Sequence, residues 1–162
     1  MRTANRYAHI LAVSICVALL TIALYLQYYA DLSPCPLCIM SRLIVMALAL
    51  THFIALIHRP VKKSIAYFYN FLSGILSIAG IGLSVRHVWI QHLPSDQAPA
   101  CGPSLDYLLQ TLPFTEMLQT VLSGDGECAK VDWSMWGMSL PEWMIIFFIF
   151  LFIINLYSAI KK

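Results

Sequence analysis

The stretch WMIIFFIFLFIINLYSAI, residues Trp143–Ile160, decides the fold class of this chain. None of its 18 residues carries a charge, and no alternation of apolar and polar residues suggests a strand. A helix of about 20 residues crosses the hydrocarbon core of a bilayer, which is about 30 Å thick. A single segment in lipid must also satisfy its own backbone hydrogen bonds. The stretch therefore predicts a transmembrane helix.

Three similar stretches precede it, so we predict spans at 10–29, 39–57, 64–85 and 142–160. Hydrophobic residues make up 60% of the chain and charged residues 11%, whereas soluble domains are near half apolar and about a quarter charged. This composition excludes a disordered chain, and four buried helices in a soluble protein would leave no residues to cover them. The net charge of +2 is too small to suggest a nucleic-acid partner. The predicted fold is one all-α membrane domain, 1–162, built as a four-helix bundle.

Charge fixes the predicted orientation of the bundle. Seven of the ten Lys and Arg residues lie before the first span, after the last span or in the loop 58–63. Short basic loops remain cytoplasmic, which places both termini and the loop 58–63 inside and the loops 30–38 and 86–141 outside. All eight acidic residues fall on the outer side. Arg2 and Arg6 before an apolar run also fit a signal peptide, but that run is long and lacks a small-residue cleavage site.

The outer loop 86–141 contains two apolar patterns with helical spacing. They are Leu105, Leu108, Leu109 and Leu112 and, after Pro113, Phe114, Met117, Leu118, Val121 and Leu122. Amphipathic helices of this kind lie on a bilayer surface. We therefore predict short interfacial helices that hold the loop close to the membrane.

The predicted topology sorts the five cysteines. Cys16 lies in the middle of the first span, where a thiol packs as a small apolar group. Cys35 and Cys38 lie in the first outer loop, and Cys101 and Cys128 lie in the second. These four thiols therefore face the side on which disulfides form.

Arg42 follows the pair Cys35-Pro36-Leu37-Cys38 by one helical turn. The CxxC spacing is common to redox-active and metal-binding pairs. Cys38 begins the second span, where unpaired amides and the helix dipole stabilise a thiolate, and Arg42 shares its helical face. An arginine inside a membrane helix costs about 3 kcal/mol and marks function. The alternative is that Arg42 snorkels to the outer headgroups.

Several kinds of chemistry compete for four outer cysteines. A zinc or iron–sulfur site is disfavoured because only one pair has the spacing such sites use, and we predict no metal. Two structural disulfides remain open as an alternative. Thiol–disulfide exchange is the active alternative. Because no haem, nucleotide or flavin motif is visible, the electron acceptor would be small and lipid-soluble, and a quinone beside Cys38 and Arg42 fits.

The chain resembles the DsbB family along essentially its whole length. The resemblance rests on the four spans and on four motifs, which are CPLCIMSR at Cys35–Arg42, RHVW at Arg86–Trp89, ACGP at Ala100–Pro103 and GECA at Gly126–Ala129. Members of this family are quinone-dependent disulfide oxidases of the bacterial inner membrane. They reoxidise the periplasmic thiol oxidase DsbA.

The resemblance implies a role for each candidate residue. Cys101 and Cys128 would form the disulfide that oxidises DsbA, with Cys101 forming the mixed disulfide. Cys128 would then exchange with the Cys35–Cys38 pair through a Cys35–Cys128 bond, which leaves Cys38 as the thiolate facing ubiquinone or menaquinone. The quinone pocket would include Arg42, together with two further residues, His87 and Gln27.

Two other functions remain as alternatives. One is a noncatalytic membrane scaffold held by two disulfides. The other is a quinone reductase of the vitamin K epoxide reductase type, which also pairs loop cysteines with a membrane CxxC. In that family the loop pair precedes the CxxC, whereas here the CxxC comes first, so this alternative is disfavoured.

Overall fold

The computed structural model describes residues 3–32, 34–60, 62–94, 110–111, 113–124, 126, 128–131 and 133–160. These residues form long helices, one short helix and a small hairpin. In chain order the elements are α1 (Thr3–Tyr29), α2 (Pro36–His58), α3 (Lys63–Gln91), α4 (Phe114–Ser123), β1 (Ser134–Met135), β2 (Met138–Ser139) and α5 (Leu140–Ile160). The four long helices, α1, α2, α3 and α5, form the bundle.

Each of these four helices is long and apolar enough to cross a membrane. Large apolar side chains cover their outward faces; the side chains of Phe68 and Phe71, for example, are 60% and 68% exposed. Such a surface is unfavourable in water, whereas lipid solvates it. The predicted all-α, four-helix membrane architecture is therefore confirmed. The side of the membrane that each end faces stays a prediction.

Three helix ends extend beyond the predicted spans by three residues or more. α1 starts at Thr3 rather than at residue 10, α2 starts at Pro36 rather than at residue 39, and α3 ends at Gln91 rather than at residue 85. The predicted spans ended where charge appears, but a helix continues wherever its polar side chains find partners. Pro36 suits the first turn because the backbone N–H there has no partner within the helix. The segment 86–91, predicted to be loop, is therefore helical.

α3 and α5 pack closely through a stripe of small residues on α3. The side chains of Ser73, Ser77 and Ser84 are buried, and so is Gly80, in agreement with their spacing on one helical face. A Cβ atom at Gly80 would lie 2.5 Å from the buried ring of Phe148. The two helices can approach this closely because glycine has no side chain.

Gly80→Ala is expected to lower the free energy of unfolding by about 1–3 kcal/mol, because the added methyl group forces the Phe148 ring out of its packed position. The measurement is thermal unfolding in detergent, followed by circular dichroism. Gly82→Ala is the matched control, since a Cβ atom at Gly82 in the same helix meets no atom of the described residues within 4 Å. Equal stability of the two variants would contradict this account of the helix contact.

Cys16 lies in the apolar centre of the bundle. Its side chain is fully buried in a cluster with Ala12, Val45, Leu48, Phe148 and Leu151. This environment supports the packing role predicted for Cys16.

A buried histidine pair joins α1 to α2. The Nδ1 atoms of His9 and His52 lie 2.9 Å apart, and both side chains are buried. One ring nitrogen must therefore donate to the other. The sequence analysis did not single out this pair, because two histidines 43 residues apart leave no local signal.

α4 coincides with the second of the two interfacial helices predicted for the outer loop. Its residue Val121 is buried in a cluster that contains Cys35, Leu37, Leu83, Ile90 and Cys128. The first predicted helix, with Leu105, Leu108, Leu109 and Leu112, lies outside the described residues, as do the side chains of Phe114, Met117 and Leu118. The position of α4 relative to a bilayer stays a prediction.

The hairpin β1–β2 leads the chain into α5. Trp136 and Gly137 form its two-residue turn with φ values of 54° and 78°, which is the conformation of a type I′ turn. Ser139 precedes α5, and Glu142 Oε2 accepts from its backbone N–H at 2.6 Å, as in one half of a capping box, and from its hydroxyl at 3.0 Å. Strands of two residues are too short for an alternating pattern, so the sequence did not predict them.

Candidate active site

The CxxC pair occupies the first turn of α2. Cys35 is the N-cap residue with extended backbone, Pro36 is the first helical residue, and Cys38 follows in the same turn. The sulfur of Cys35 accepts from the backbone N–H of Cys38 at 3.4 Å, and the Cys35 thiol donates to the Cys38 sulfur at 3.1 Å. The turn therefore holds the two sulfurs side by side at the positive end of the helix dipole.

Cys128 meets this pair from the outer loop. Its side chain is fully buried, belongs to the same cluster as Cys35 and hydrogen-bonds with the Cys35 thiol. Three of the four predicted working cysteines thus converge at the start of α2. Cys101, the fourth, lies outside the described residues.

The surroundings of Cys35 favour its protonated form. Cys35 precedes the membrane-spanning helix, and its side chain is only 6% exposed. Hydrogen bonds with Cys128 and then with Cys38, together with burial, raise the pKa of the Cys35 thiol above its usual range. The Cys35 thiol therefore retains its proton and can donate it to the Cys38 sulfur.

His87 contacts the same pair from α3. Its side chain is 4% exposed, and its Nε2 atom lies 3.7 Å from the Cys35 sulfur. Because α3 continues past its predicted end to Gln91, this histidine belongs to a rigid helix rather than to a loop.

Arg42 lies one turn below Cys38 and is held from α1. Its guanidinium donates to the backbone carbonyl of Ala23 at 3.1 Å and to the Oε1 atom of Gln27. These two acceptors fix the guanidinium within the bundle. The contacts with α1 therefore explain the position of the Arg42 side chain, which extension toward the lipid headgroups alone does not.

A cavity of about 260 Å³ lies beside the CxxC pair. Apolar side chains form most of its wall, including those of Leu20, Met144 and Phe147. The polar side chains that reach it are those of Cys35, Cys38, Ser41, Arg42, His87, Gln91 and Lys130. An apolar wall with a few polar groups at one end suits a flat, largely apolar ligand with polar oxygens at its edge.

Gln27 does not line this cavity within the described part of the chain, although it contacts Arg42. Its carbonyl oxygen is instead committed to the guanidinium. The structure thus gives Gln27 a place behind Arg42, as a residue that orients the guanidinium. The family resemblance implied only that Gln27 belongs to the quinone pocket.

Two further residues of α3 hold the outer loop in place. Arg86 donates to the carbonyls of Leu122 and Ser123 at 3.3 and 3.2 Å, at the C-terminal end of α4. A cation is favourable there because the carbonyls at a helix C-terminus carry negative partial charge. Gln91 donates to the carbonyl of Lys130 at 3.5 Å. The sequence analysis assigned neither residue this role, because both contacts are to backbone atoms far away in sequence.

Gly124→Ala is expected to displace the end of α4 and the loop that carries Cys128. Gly124 has a φ of +83°, and a Cβ atom there would lie 2.5 Å from Ile90 Cδ1. With a ψ of 164°, this backbone lies in a region that is essentially restricted to glycine and costs about 1–3 kcal/mol in a residue with a Cβ atom, and the clash adds to this cost. We expect faster alkylation of Cys128 in the reduced protein, measured by peptide-resolved mass spectrometry.

Gly137→Ala is the matched control for this variant. Gly137 also has a positive φ, of +78°, but no atom of the described residues lies within 4 Å of a Cβ atom placed there. It therefore carries the backbone strain without the clash. Equal alkylation of Cys128 in both variants would contradict the role given to the contact between Gly124 and Ile90.

Comparison with known proteins identifies the family. The family model described as disulfide bond formation protein DsbB matches residues 5–158. The chain belongs to the DsbB family. Membership in the DsbB family agrees with oxidoreductase chemistry at the three converging thiols.

The chain is similar to several members of the DsbB family that carry the name disulfide bond formation protein B. The protein of Acinetobacter baumannii is 44% identical over 161 residues, which cover 99% of this chain and 94% of that protein. The protein of Nitrosococcus oceani is 43% identical over 158 residues, covering 98% and 93%. The protein of a Psychrobacter species is 45% identical over 151 residues, covering 91% and 86%. The similarity therefore extends over nearly the whole of each chain.

Proposed function

We propose that this protein reoxidises a DsbA-like periplasmic thiol oxidase and transfers the electrons to a membrane quinone. The observation that carries the proposal is the contact of Cys128 with Cys35, next to a cavity that Cys38 and Arg42 line. A thiol from the outer loop and an apolar cavity thus meet at one CxxC pair. A scaffold held by disulfides has no need of the cavity or of the guanidinium.

The relay begins at a Cys101–Cys128 disulfide. The thiolate of the reduced partner attacks Cys101 and forms a mixed disulfide, which releases Cys128. Cys128 attacks Cys35 in the Cys35–Cys38 disulfide, forms the Cys35–Cys128 bond and leaves Cys38 as a thiolate. The hydrogen-bond contact between Cys128 and Cys35 supports this choice of the attacked sulfur.

The hydrogen bonds of the first turn of α2 support Cys38 as the thiolate. In the dithiol form the Cys35 thiol donates to the Cys38 sulfur at 3.1 Å, and such a bond stabilises a negatively charged acceptor. Cys38 also lies in the first turn, where the helix dipole favours negative charge. In the Cys35–Cys128 intermediate Cys35 has no proton, and the helix dipole then stabilises the charge on Cys38, which faces the cavity.

The cavity residues fit a ubiquinone or menaquinone ring. Apolar side chains would enclose the ring, while Arg42 and His87 would approach its oxygens. A bound quinone supplies an acceptor for two electrons and two protons. The Arg42 guanidinium, oriented by Gln27 and the Ala23 carbonyl, places a fixed positive charge where negative charge develops.

The basic residues support a location in the bacterial inner membrane with the thiols on the periplasmic side. Arg59, Lys62 and Lys63 lie at the end of the bundle opposite to the CxxC pair. Short basic segments of this kind remain cytoplasmic. The CxxC pair then lies in the compartment where disulfides form.

The test of the function uses the purified full-length protein with a reduced DsbA-like partner and a soluble quinone analogue. We expect quinone reduction that depends on the partner, and none when thiols are blocked beforehand. Quinone absorbance follows the reaction. Absence of cysteine-dependent quinone reduction by the folded protein would refute the proposal.

A further inference from the structure

Three metal-binding side chains from two separate segments converge at the start of α2. The ligand atoms of Cys35, Cys38 and His87 all lie within 4.8 Å of one another. Cys128 packs in the same cluster as Cys35 but does not belong to this group. Two sulfurs and one imidazole nitrogen are a donor set with which proteins bind zinc and leave one tetrahedral position open.

The distances within this group are close to those of a tetrahedral zinc site. With Zn–S bonds of about 2.3 Å and Zn–N bonds of about 2.0–2.1 Å, tetrahedral geometry places two sulfurs about 3.8 Å apart and a sulfur and a nitrogen about 3.6 Å apart. The distance from Cys35 Sγ to His87 Nε2 is 3.7 Å. The distance from Cys35 Sγ to Cys38 Sγ is 3.1 Å. The Cys35 and Cys38 sulfurs must therefore move apart by less than about 1 Å. A change in a cysteine side-chain torsion angle is enough for this movement.

The surroundings of the group also favour a soft metal ion. The side chains of Cys35, His87 and Cys128 are 6%, 4% and 0% exposed, so the protein shields the site from water. The apolar side chains of Leu83 and Ile90 belong to the cluster that encloses the two buried cysteines. Thiolate and imidazole donors in such a site select zinc and similar ions over magnesium or calcium.

We propose that the reduced protein binds one Zn²⁺ or a similar thiophilic divalent ion through Cys35, Cys38 and His87, and that the bound ion stops thiol–disulfide exchange. Binding replaces up to two thiol protons with two metal–sulfur bonds, and the ion remains divalent because no electrons move. Both sulfurs of the CxxC pair are then bonded to the ion, so neither can form a disulfide, while water or another ligand takes the fourth tetrahedral position. A Cys35–Cys38 disulfide removes two thiolate donors, which restricts the site to the reduced protein.

Residue spacing argued against a metal, since the chain has one CxxC pair and not two. Such spacing is needed only when neighbouring residues in the sequence supply the ligands. Here His87 comes from α3, so a tertiary contact completes the set. Metal binding does not depend on the proposed function, whereas inhibition by the bound ion rests on it.

Co²⁺ titration of the full-length, detergent-solubilised protein tests metal binding. We expect the phosphine-reduced protein to bind one Co²⁺ per chain, with the absorption bands of tetrahedral cobalt–thiolate coordination, and Zn²⁺ to displace it. Cys38→Ser and His87→Gln should each weaken Co²⁺ binding by at least about tenfold, since loss of a direct ligand costs no less than loss of a residue that supports one. Two variants on different segments keep the test valid if one of them misfolds.

Cys16→Ala and Cys101→Ser serve as control variants in the same titration. Cys16 is buried in the centre of the bundle, away from the site, and Cys101 is not one of the assigned ligands. Both variants should bind Co²⁺ as tightly as the unaltered protein. Equal binding by the oxidised protein, unchanged binding by both ligand variants, or loss of binding in Cys101→Ser would overturn the assigned site.

Quinone reduction tests inhibition by the bound ion. Zn²⁺ added to the reduced protein before quinone should block turnover, and a chelator should restore it. Turnover that persists with the ion bound would overturn inhibition. A protein that binds Co²⁺ but never reduces quinone, even without metal, would refute the proposed function and leave the metal site standing.

Discussion

Cys35→Ser is expected to abolish quinone reduction while the four-helix bundle remains folded. The serine hydroxyl can take over the N-cap position, since serine is among the preferred N-cap residues, and it can still hydrogen-bond with Cys38 and Cys128. It cannot form a disulfide with either. The loss is therefore chemical, and the measurements are steady-state quinone reduction and thermal unfolding of the same preparation.

Cys16→Ala is the control for this experiment. Cys16 is fully buried in the bundle and lies in a different cluster from Cys35, so we expect full activity per folded molecule. A noncatalytic scaffold predicts the reverse pattern for Cys35→Ser, with a lower unfolding temperature as its main effect. Quinone reduction at the normal rate by Cys35→Ser would contradict the relay.

Arg42→Ala is expected to raise the apparent KM for quinone while the exchange of disulfides with the partner continues. A hydrogen bond that involves a charged group contributes about 1.5–3 kcal/mol, which corresponds to roughly 10- to 100-fold in affinity. The guanidinium lines the cavity rather than contacting Cys128. Quinone titration measures the first effect, and trapping of the mixed disulfide with the partner measures the second. Equal loss in both assays would mean that Arg42 is structural.

Gln27→Ala distinguishes an orienting residue from a direct ligand. If Gln27 acts through Arg42, its loss raises the KM by less than loss of Arg42 and adds nothing in the double variant. If Gln27 binds the quinone itself, the two effects are additive. The hydrogen bond from Arg42 to Gln27 leads us to expect the first result.

The sequence predicted the architecture well because the solvent dictates it. In lipid, any apolar segment of sufficient length becomes a helix, so four stretches nearly free of charge were enough. The ends of the helices were less predictable, since they depend on distant partners. α3 passes its predicted end because Arg86 binds carbonyls at the end of α4 and because His87 is buried beside Cys35.

The candidate site was predictable where its residues are local in sequence. Cys35, Cys38 and Arg42 lie within three turns of one helix, and their relation follows from helical spacing. The contact of Cys128 with Cys35 was expected only from family resemblance, because loop residues carry no periodic signal. The roles of Arg86 and Gln91 and the position of Gln27 behind Arg42 depend on side-chain contacts between helices, which no pattern in one segment encodes.

The attachment of the outer loop to α3 has a kinetic consequence. Arg86 and Gln91 hold the chain on either side of Cys128, so Cys128 meets Cys35 without a diffusional search. Well-oriented groups within one molecule react as though present at about 10⁵–10⁸ M, far above any small thiol in the surrounding solution. In the proposed relay, such thiols would therefore compete poorly for the bond at Cys35, and electrons would enter the CxxC pair through the protein's own loop.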